Sequence, residues 1–451
     1  MTSEIAVMNK EAVALAADSA ASWGNNKVFS SNKVFSLSKY APIGIMVYGT
    51  AQFMEIPWEI IIKEYRNYLK NKMFDTVCDY ANDFIKFIKE SDMFSIDQER
   101  RYIYFSCNNY IVSHLKPAIE QLIITIILSE RKGKPDEKLP GALSNFLNNE
   151  IELWEKEKFL IKNPDKLYLY LQSNYDILFE QLINSKILDN MHFIDEKNKD
   201  LFFSPEIKAK IKKLLINYVL KKREDLNKTS QSGIVITGFG NKEIFPYLVS
   251  YSFYGRISDK LIFDKDQTIK VEFEHTSKIL TFAQEDVIKT FLEGIHPGYE
   301  KNIQIYFSEI SSDIFKLLTD IFKNKISKSD QDKINQVETR IQELNEKKLS
   351  RIRADCIEYR EKIEEVAAFL PKDELAKMAE TLVDLTSFKR RVSSNERETV
   401  RGPIDVAVIS KGDGFIWVKR KHYFDVALNP HFISNYYKGC SEEELNGQKL
   451  D

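Results

Sequence analysis

Residue 2 of the chain is a threonine. Aminopeptidases remove initiator methionine when the next residue is small, so Thr2 can become the N-terminus of the mature chain. A terminal threonine joins a hydroxyl nucleophile to its own α-amine, which titrates at about pH 8 when unperturbed. That amine can take the hydroxyl proton at neutral pH, directly or through one water. The chemistry needs no histidine, and the chain has only 6 in 451 residues. Taken alone, the feature has a plainer reading, because threonine is a common second residue.

The elements that would position such a site begin at once. Residues 4–7 and 12–17 are strand-compatible runs separated by the turn-like Met8-Asn9-Lys10, and residues 32–37 and 43–47 suggest two more strands before Gly49. Residues 58–89 carry apolar positions at helical spacing. Residues 97–228 are helical in pattern and rich in lysine and asparagine, with a polar loop expected at 129–140. Strand signals return at 233–237, 248–254 and 268–273, and helices are expected at 286–294 and 313–322. Residues 330–366 form a long charged helix whose apolar phase shifts after Leu344, the pattern of a short coiled coil or helical hairpin. A helix at 373–385 precedes a strand, turn and strand over 403–419.

Composition limits the rest. Lys plus Arg total 65 against 67 for Asp plus Glu, a net charge of −2, which gives no global reason to bind nucleic acid. At 43% hydrophobic the chain can build a sizeable core. Cys78, Cys107, Cys356 and Cys440 show no CxxC spacing and are too sparse for a disulfide framework. Without HExxH or a Cys/His cluster no metal site is expected, and no organic cofactor is called for. The apolar run at 121–128 is too short to span a bilayer, and the first residues lack a secretion signal, so a cytoplasmic protein without a membrane partner is expected. Gly238-Phe239-Gly240 follows a strand but lacks the rest of a phosphate-binding fingerprint.

The stretch from Thr2 to Ser22, TSEIAVMNKEAVALAADSAAS, resembles the opening of proteasome β subunits and bacterial proteasome-like peptidases. In that family a threonine is followed by a strand, a turn and a strand ending in Ala-Ala-Asp or Ala-Gly-Asp. The resemblance continues through NKVFSLS, where Lys33 opens a strand, and IGIMVYGTAQ, where Gly49 stands at the family's glycine. Asp18 lies sixteen residues after Thr2, Lys33 fifteen after Asp18, and Gly49 sixteen after Lys33. Near the C-terminus, ETVRGPIDVAVISKGDGF resembles the family's late turn, strand and hairpin.

The resemblance implies roles. Lys33 would hold positive charge beside the hydroxyl and amine, favouring the neutral amine and the developing alkoxide. Asp18 would orient and balance Lys33. The Gly49 N–H would meet the tetrahedral oxyanion. Without the resemblance, Asp18 reads as a turn residue, Lys33 as a solvated strand residue and Gly49 as a strand terminator. Two family elements are replaced here: Thr281 is the nearest hydroxyl to a later helix where a serine is expected, and Glu398 and Thr399 are the polar residues in RETVRG. Ser19 could help orient the amine.

The expected fold is therefore α+β, a four-layer αββα sandwich of the N-terminal-nucleophile (Ntn) hydrolase type with helical insertions and a coiled-coil-like arm. Its expected divisions are 1–96 and 229–329 in the sandwich, 97–228 as a helical insertion, 330–370 as a charged arm, and 371–451 completing the sandwich. The expected activity is threonine-type cleavage of peptide or other amide bonds, in a homo-oligomer and with an ATPase as a partner. The rival expectation is an inactive proteasome-like scaffold that acts through its helical parts.

Overall fold

The computed structural model describes residues 3–23, 27–129, 135–189, 203–223, 226, 231–274, 276–322, 328–393, 402–422, 424, 425 and 427–431. Thr2, Glu398 and Thr399 lie outside the described residues. The chain is a mixed α+β protein whose strands pair antiparallel throughout the described residues.

Ser3–Asn9 (β1) and Ala12–Ala17 (β2) form a hairpin in which every strand residue is buried. Burial on both faces explains why β2 reads AVALAA instead of alternating apolar with polar. Its small side chains leave room for larger partners above and below. The short Ala20–Trp23 (β3) and Lys27–Ser30 (β4) make a separate hairpin. Val34–Ser36 (β5) pairs with Ile43–Gly49 (β6). Gln52–Phe53 (β7) and Ile56–Pro57 (β8) form a second small hairpin. Ser232–Gly238 (β9), Tyr247–Ile257 (β10) and Lys260–Lys270 (β11) follow as a meander. Ser277–Ala283 (β12), Asp405–Ser410 (β13) and Gly414–Lys419 (β14) complete the strands.

One five-stranded sheet has the order β12-β1-β2-β13-β14, and the other β11-β10-β9-β6-β5. Alternation along the strands divides the side chains between two environments. Ala6, Met8, Leu15, Leu280 and Phe282 of the first sheet share a buried cluster with Val34, Met46, Val235 and Leu248 of the second. Ile5, Val7, Ala14, Ala16 and Ile279 face the other way. They pack against Ile288 and Leu292 of helix Asp286–Glu293 and against Leu375, Ala379 and Val383 of helix Lys372–Val392. The second sheet turns Ile45, Val47, Ile234 and Ile236 into the largest core, shared with helices between Trp58 and Leu220.

The segment expected as a helical insertion thus shares a core with the second sheet. The Tyr102 ring lies so close to Gly255 that an added Cβ would sit 2.4 Å from it. Glu99 accepts hydrogen bonds from Tyr170 and Tyr175 hydroxyls at 2.9 and 2.7 Å and from the Ser258 N–H at 2.8 Å, tying two helices to the β10–β11 turn.

Several sequence expectations are corrected. The helical run at 58–89 is two helices, Trp58–Leu69 and Val77–Glu90. Lys70 at φ 51° ends the first, and a Thr76/Asp79 capping box starts the second. Of the loop expected at 129–140, residues 130–134 lie outside the described residues, and 135–140 instead open helix Pro135–Lys156, which begins on a proline, a residue well suited to a first helical position. Strand β12 occupies residues expected only to precede a helix. Lys328–Ala367 is one unbroken helix through the phase shift after Leu344, and it makes a helical hairpin with the preceding helix Pro297–Phe322. Asn345 donates to the Phe307 carbonyl at 3.1 Å, and Arg353 pairs with Glu300 at 2.9 Å.

Candidate functional site

Asp18 follows the last residue of β2, where the chain leaves the first sheet. Its Oδ1 accepts the Ser3 N–H at 3.0 Å and the Lys33 ammonium at 2.6 Å, and its Oδ2 accepts the Ala20 N–H at 3.1 Å. The Asp18 N–H returns a bond to the Ser3 carbonyl at 3.2 Å. These bonds hold the carboxylate against the start of β1, and only 1% of the residue is exposed. Ser3 is the first described residue, so the structure reaches the peptide unit next to Thr2 but not Thr2 itself.

Lys33 precedes β5 in the second sheet, and its carbonyl accepts the Val47 N–H at 2.8 Å. The side chain crosses to the first sheet and is buried there, with the residue 5% exposed. Besides Asp18 it meets Glu4, with Nζ 3.3 Å from Oε1. Glu4 is fully buried, since strand alternation turns it to the same side as Ala6 and away from Ile5. A buried ammonium between two buried carboxylates is stable only as a set, because each ion alone would meet a large desolvation penalty.

Gly49 ends β6, two residues beyond Val47, and pairs with Ser232. Its φ of 80° and the Gln231 carbonyl, 2.6 Å from where a Cβ would lie, both exclude a side chain. It is exposed, at the same end of the sheet as Lys33. Next to it the Thr50 and Ser232 hydroxyls are 2.5 Å apart.

The remaining candidates fall elsewhere. Ser19 is buried and hydrogen-bonds away from Lys33: it donates to the Pro403 carbonyl and accepts from the Lys421 ammonium, the latter at 2.6 Å. Thr281 lies opposite Ile5 in β12. It therefore faces the helices, on the side of the sheet away from Glu4. The structure does not bring it to the charged set.

Three residues were missed. Glu4 carried only a weak signal, a lone charge directly before the apolar run IAVM. Asp405 carried the same signal in PIDVAVIS. Lys421, in the run KRKH, carried none. Lys421 donates to Asp405 Oδ2 at 2.9 Å and to the Ser31 carbonyl at 2.7 Å, and Asp405 Oδ1 accepts the Lys421 N–H at 2.8 Å. Since Asp405 pairs with Ala17, this second ion pair stands one strand away from the first.

Tyr48 borders the set. Its ring packs 5.3 Å from that of Phe282 and covers Gly233. Burial, with the charges of Asp266, Glu285 and Glu4 adding to it, pushes the hydroxyl pKa far above that of an ordinary tyrosine. Tyr48 therefore stays neutral at physiological pH. Among the described residues no cluster of three or more His, Cys, Asp or Glu could hold a metal, and no helix is long and apolar enough to cross a membrane.

No family model matches the chain, and no curated protein matches it. Among solved structures, Anbu (ancestral beta-subunit) from Yersinia bercovieri matches at 10% identity and a TM-score of 0.26, over 99% of this chain and 97% of that one. A TM-score this low says nothing about fold or activity.

Proposed function

We propose that the chain is an N-terminal threonine hydrolase that cleaves peptide or other amide bonds, built on a four-layer αββα sandwich of the Ntn-hydrolase type. Removal of Met1 frees the Thr2 amine. The Thr2 hydroxyl attacks the carbonyl while the amine takes its proton. The leaving amine departs with that proton, and water then releases the acid from the acyl-enzyme. Lys33 supplies positive charge for the developing alkoxide, Asp18 fixes Lys33, and the Gly49 N–H receives the oxyanion.

The observation that carries this reading is the Lys33–Asp18 ion pair at 2.6 Å, tied by the same Asp18 oxygen to the N–H of Ser3. Two residues fifteen positions apart, from different sheets, meet beside the residue that follows Thr2. A lysine with a purely solvating role has no reason to be buried there. The reading extends to a cytoplasmic homo-oligomer served by an ATPase, as in the family the sequence resembles.

A second reading, an inactive scaffold, is favoured by two observations. Glu4 gives the buried set one more negative charge than positive when all three groups are ionised, which opposes a neutral amine. The helical hairpin also exposes Tyr306, Ile310 and Leu317 along one helix, a face suited to a partner.

Intact mass separates the readings. The hydrolase loses one methionine and then gains one adduct from an electrophilic peptide inhibitor, and Thr2→Ala gains none. Retained Met1, or no adduct across a broad inhibitor panel, leaves the scaffold reading.

A further inference from the structure

A cleft of about 1240 Å³ lies between the end of helix Val77–Glu90, the start of helix Pro164–Asn174 and the turn between β10 and β11. Lys89, Lys158, Lys162, Lys166 and Lys260 line it. None of these has a carboxylate partner within ion-pair distance among the described residues, whereas lysines elsewhere on the surface commonly do. Of the acids in the lining, Asp259 is held by Arg256 at 2.9 Å and Asp264 by Lys222 at 3.3 Å, which leaves Asp165. The cleft therefore carries a clear excess of positive charge in a protein that is nearly neutral overall.

Local structure does not account for this excess. Lys89 sits in the last turn of its helix, where a cation complements the helix dipole. That explains Lys89 and nothing more, because Lys162 and Lys260 add like charge beside it. Although Lys89 is exposed, partial desolvation of its ammonium, together with the Lys162 and Lys260 ammonium groups, pushes its pKa down. The Lys89 ammonium also lies 5.2 Å from the centre of the Phe263 ring, a second wall of the cleft. Helix Pro164–Asn174 opens into the same space. Its N-cap residue, Asn163, is left-handed at φ 56° and makes no side-chain cap bond, so the first N–H groups lack the usual side-chain acceptor.

We propose that this cleft binds an oligophosphate anion, with Lys89, Lys162 and Lys260 as its principal contacts. Three features select the chemistry. The lining has lysines and no arginine, which suits point-charge binding of a multiply charged phosphate better than bidentate recognition of a carboxylate. Several cations converge on one cleft, so one ligand with several charges relieves their mutual repulsion. Uncapped N–H groups at a helix start add donors for a phosphate oxygen. The site is independent of Thr2 and of the proposed hydrolysis.

The test is isothermal titration of the full chain at low salt with sodium tripolyphosphate, with ATP in a second arm and a short single-stranded RNA in a third. Tripolyphosphate is expected to bind at one equivalent and to weaken as salt rises. The Lys89→Ala/Lys162→Ala/Lys260→Ala variant should bind on the order of tenfold more weakly or worse. These lysines are exposed, so the variant should fold, and circular dichroism checks that it does. A control variant, Lys63→Ala/Lys362→Ala/Lys377→Ala, removes the same charge elsewhere and should bind as the unmodified chain does. ATP binding more tightly than tripolyphosphate identifies a nucleotide as the source of the phosphates, and equal binding identifies the inorganic chain. Absence of binding, equal loss in both triple variants, or tighter binding of RNA than of either phosphate overturns the proposal.

Discussion

The Lys33 ammonium lies 2.6 Å from Asp18 Oδ1, and both side chains are almost fully buried where the two sheets meet. Glu4 stands 3.3 Å from the same ammonium. Lys33→Met leaves two carboxylates buried without a cation and is expected to destabilise the fold by about 3–5 kcal/mol. Adding Asp18→Asn and Glu4→Gln removes the stranded charges and should recover part of that loss, since the asparagine amide leaves one of the Ser3 and Ala20 N–H groups without its acceptor. Denaturant unfolding of the single and triple variants measures both steps. A Lys33→Met protein as stable as the unmodified chain would show that the set is solvated and the burial argument mistaken.

Much of this set was legible in the sequence. Asp18 and Lys33 were legible through the resemblance of their segments to proteasome β subunits; by type and position alone they read as a turn residue and a solvated strand residue. Glu4 was overlooked because a charge near the start of a strand usually faces water, and only the second sheet turns it inward. Strand β12 was hidden for a related reason. Its apolar residues point to two different cores, so neither strict alternation nor a helical period shows. The helix break at Lys70 depends on a positive φ in a residue that does not advertise it.

Gly49→Ala places a Cβ 2.6 Å from the Gln231 carbonyl in a left-handed backbone. The conformational penalty alone is roughly 1–2 kcal/mol. Relief requires β6 to shift against β9, and that moves the Gly49 N–H. The expected outcome is a modest drop in melting temperature with a far larger loss of inhibitor labelling at Thr2. Labelling unchanged in rate would remove Gly49 from the proposed oxyanion site.

Buried tyrosines set an alkaline limit. Burial is the main cause that pushes Tyr110 and Tyr251 up to about 12 and Tyr48 and Tyr65 higher still. In the unfolded chain each ionises at about pH 10. Above that value the unfolded state binds fewer protons than the folded state, so stability falls as pH rises. The contribution is complete below about pH 10 and is lost as pH climbs through the folded-state values. The part of the rise in absorbance near 295 nm that belongs to the buried tyrosines should therefore coincide with loss of secondary structure, in one cooperative step. Early, separate ionisation of the whole tyrosine set would contradict their burial.

Lys421 and Asp405 make a second test of buried charge. Their ion pair, at 2.9 Å, joins the residues after β14 to Ser19 and Ser31. Lys421→Met strands Asp405 and should destabilise by about 3 kcal/mol, whereas Lys421→Met with Asp405→Asn should lose much less. Thermal melts of both variants decide it, and equal losses would mean that the charges do not interact.

Glu4 gives the sharpest test of the hydrolase reading. Its carboxylate is fully buried in β1, two residues along the chain from Thr2. A buried negative charge stabilises a protonated amine nearby, and the proposed base is the neutral amine. Glu4→Gln keeps the shape of the side chain and removes the charge. The amine should then lose its proton at lower pH, and the acidic limb of the labelling rate against pH should move down. Lys33 keeps Asp18 as its partner, so the fold should survive, with unfolding measured alongside. A scaffold shows no such limb at all. A hydrolase whose limb stays in place after the substitution would show that Glu4 is screened from the amine, and that Lys33 is balanced without it.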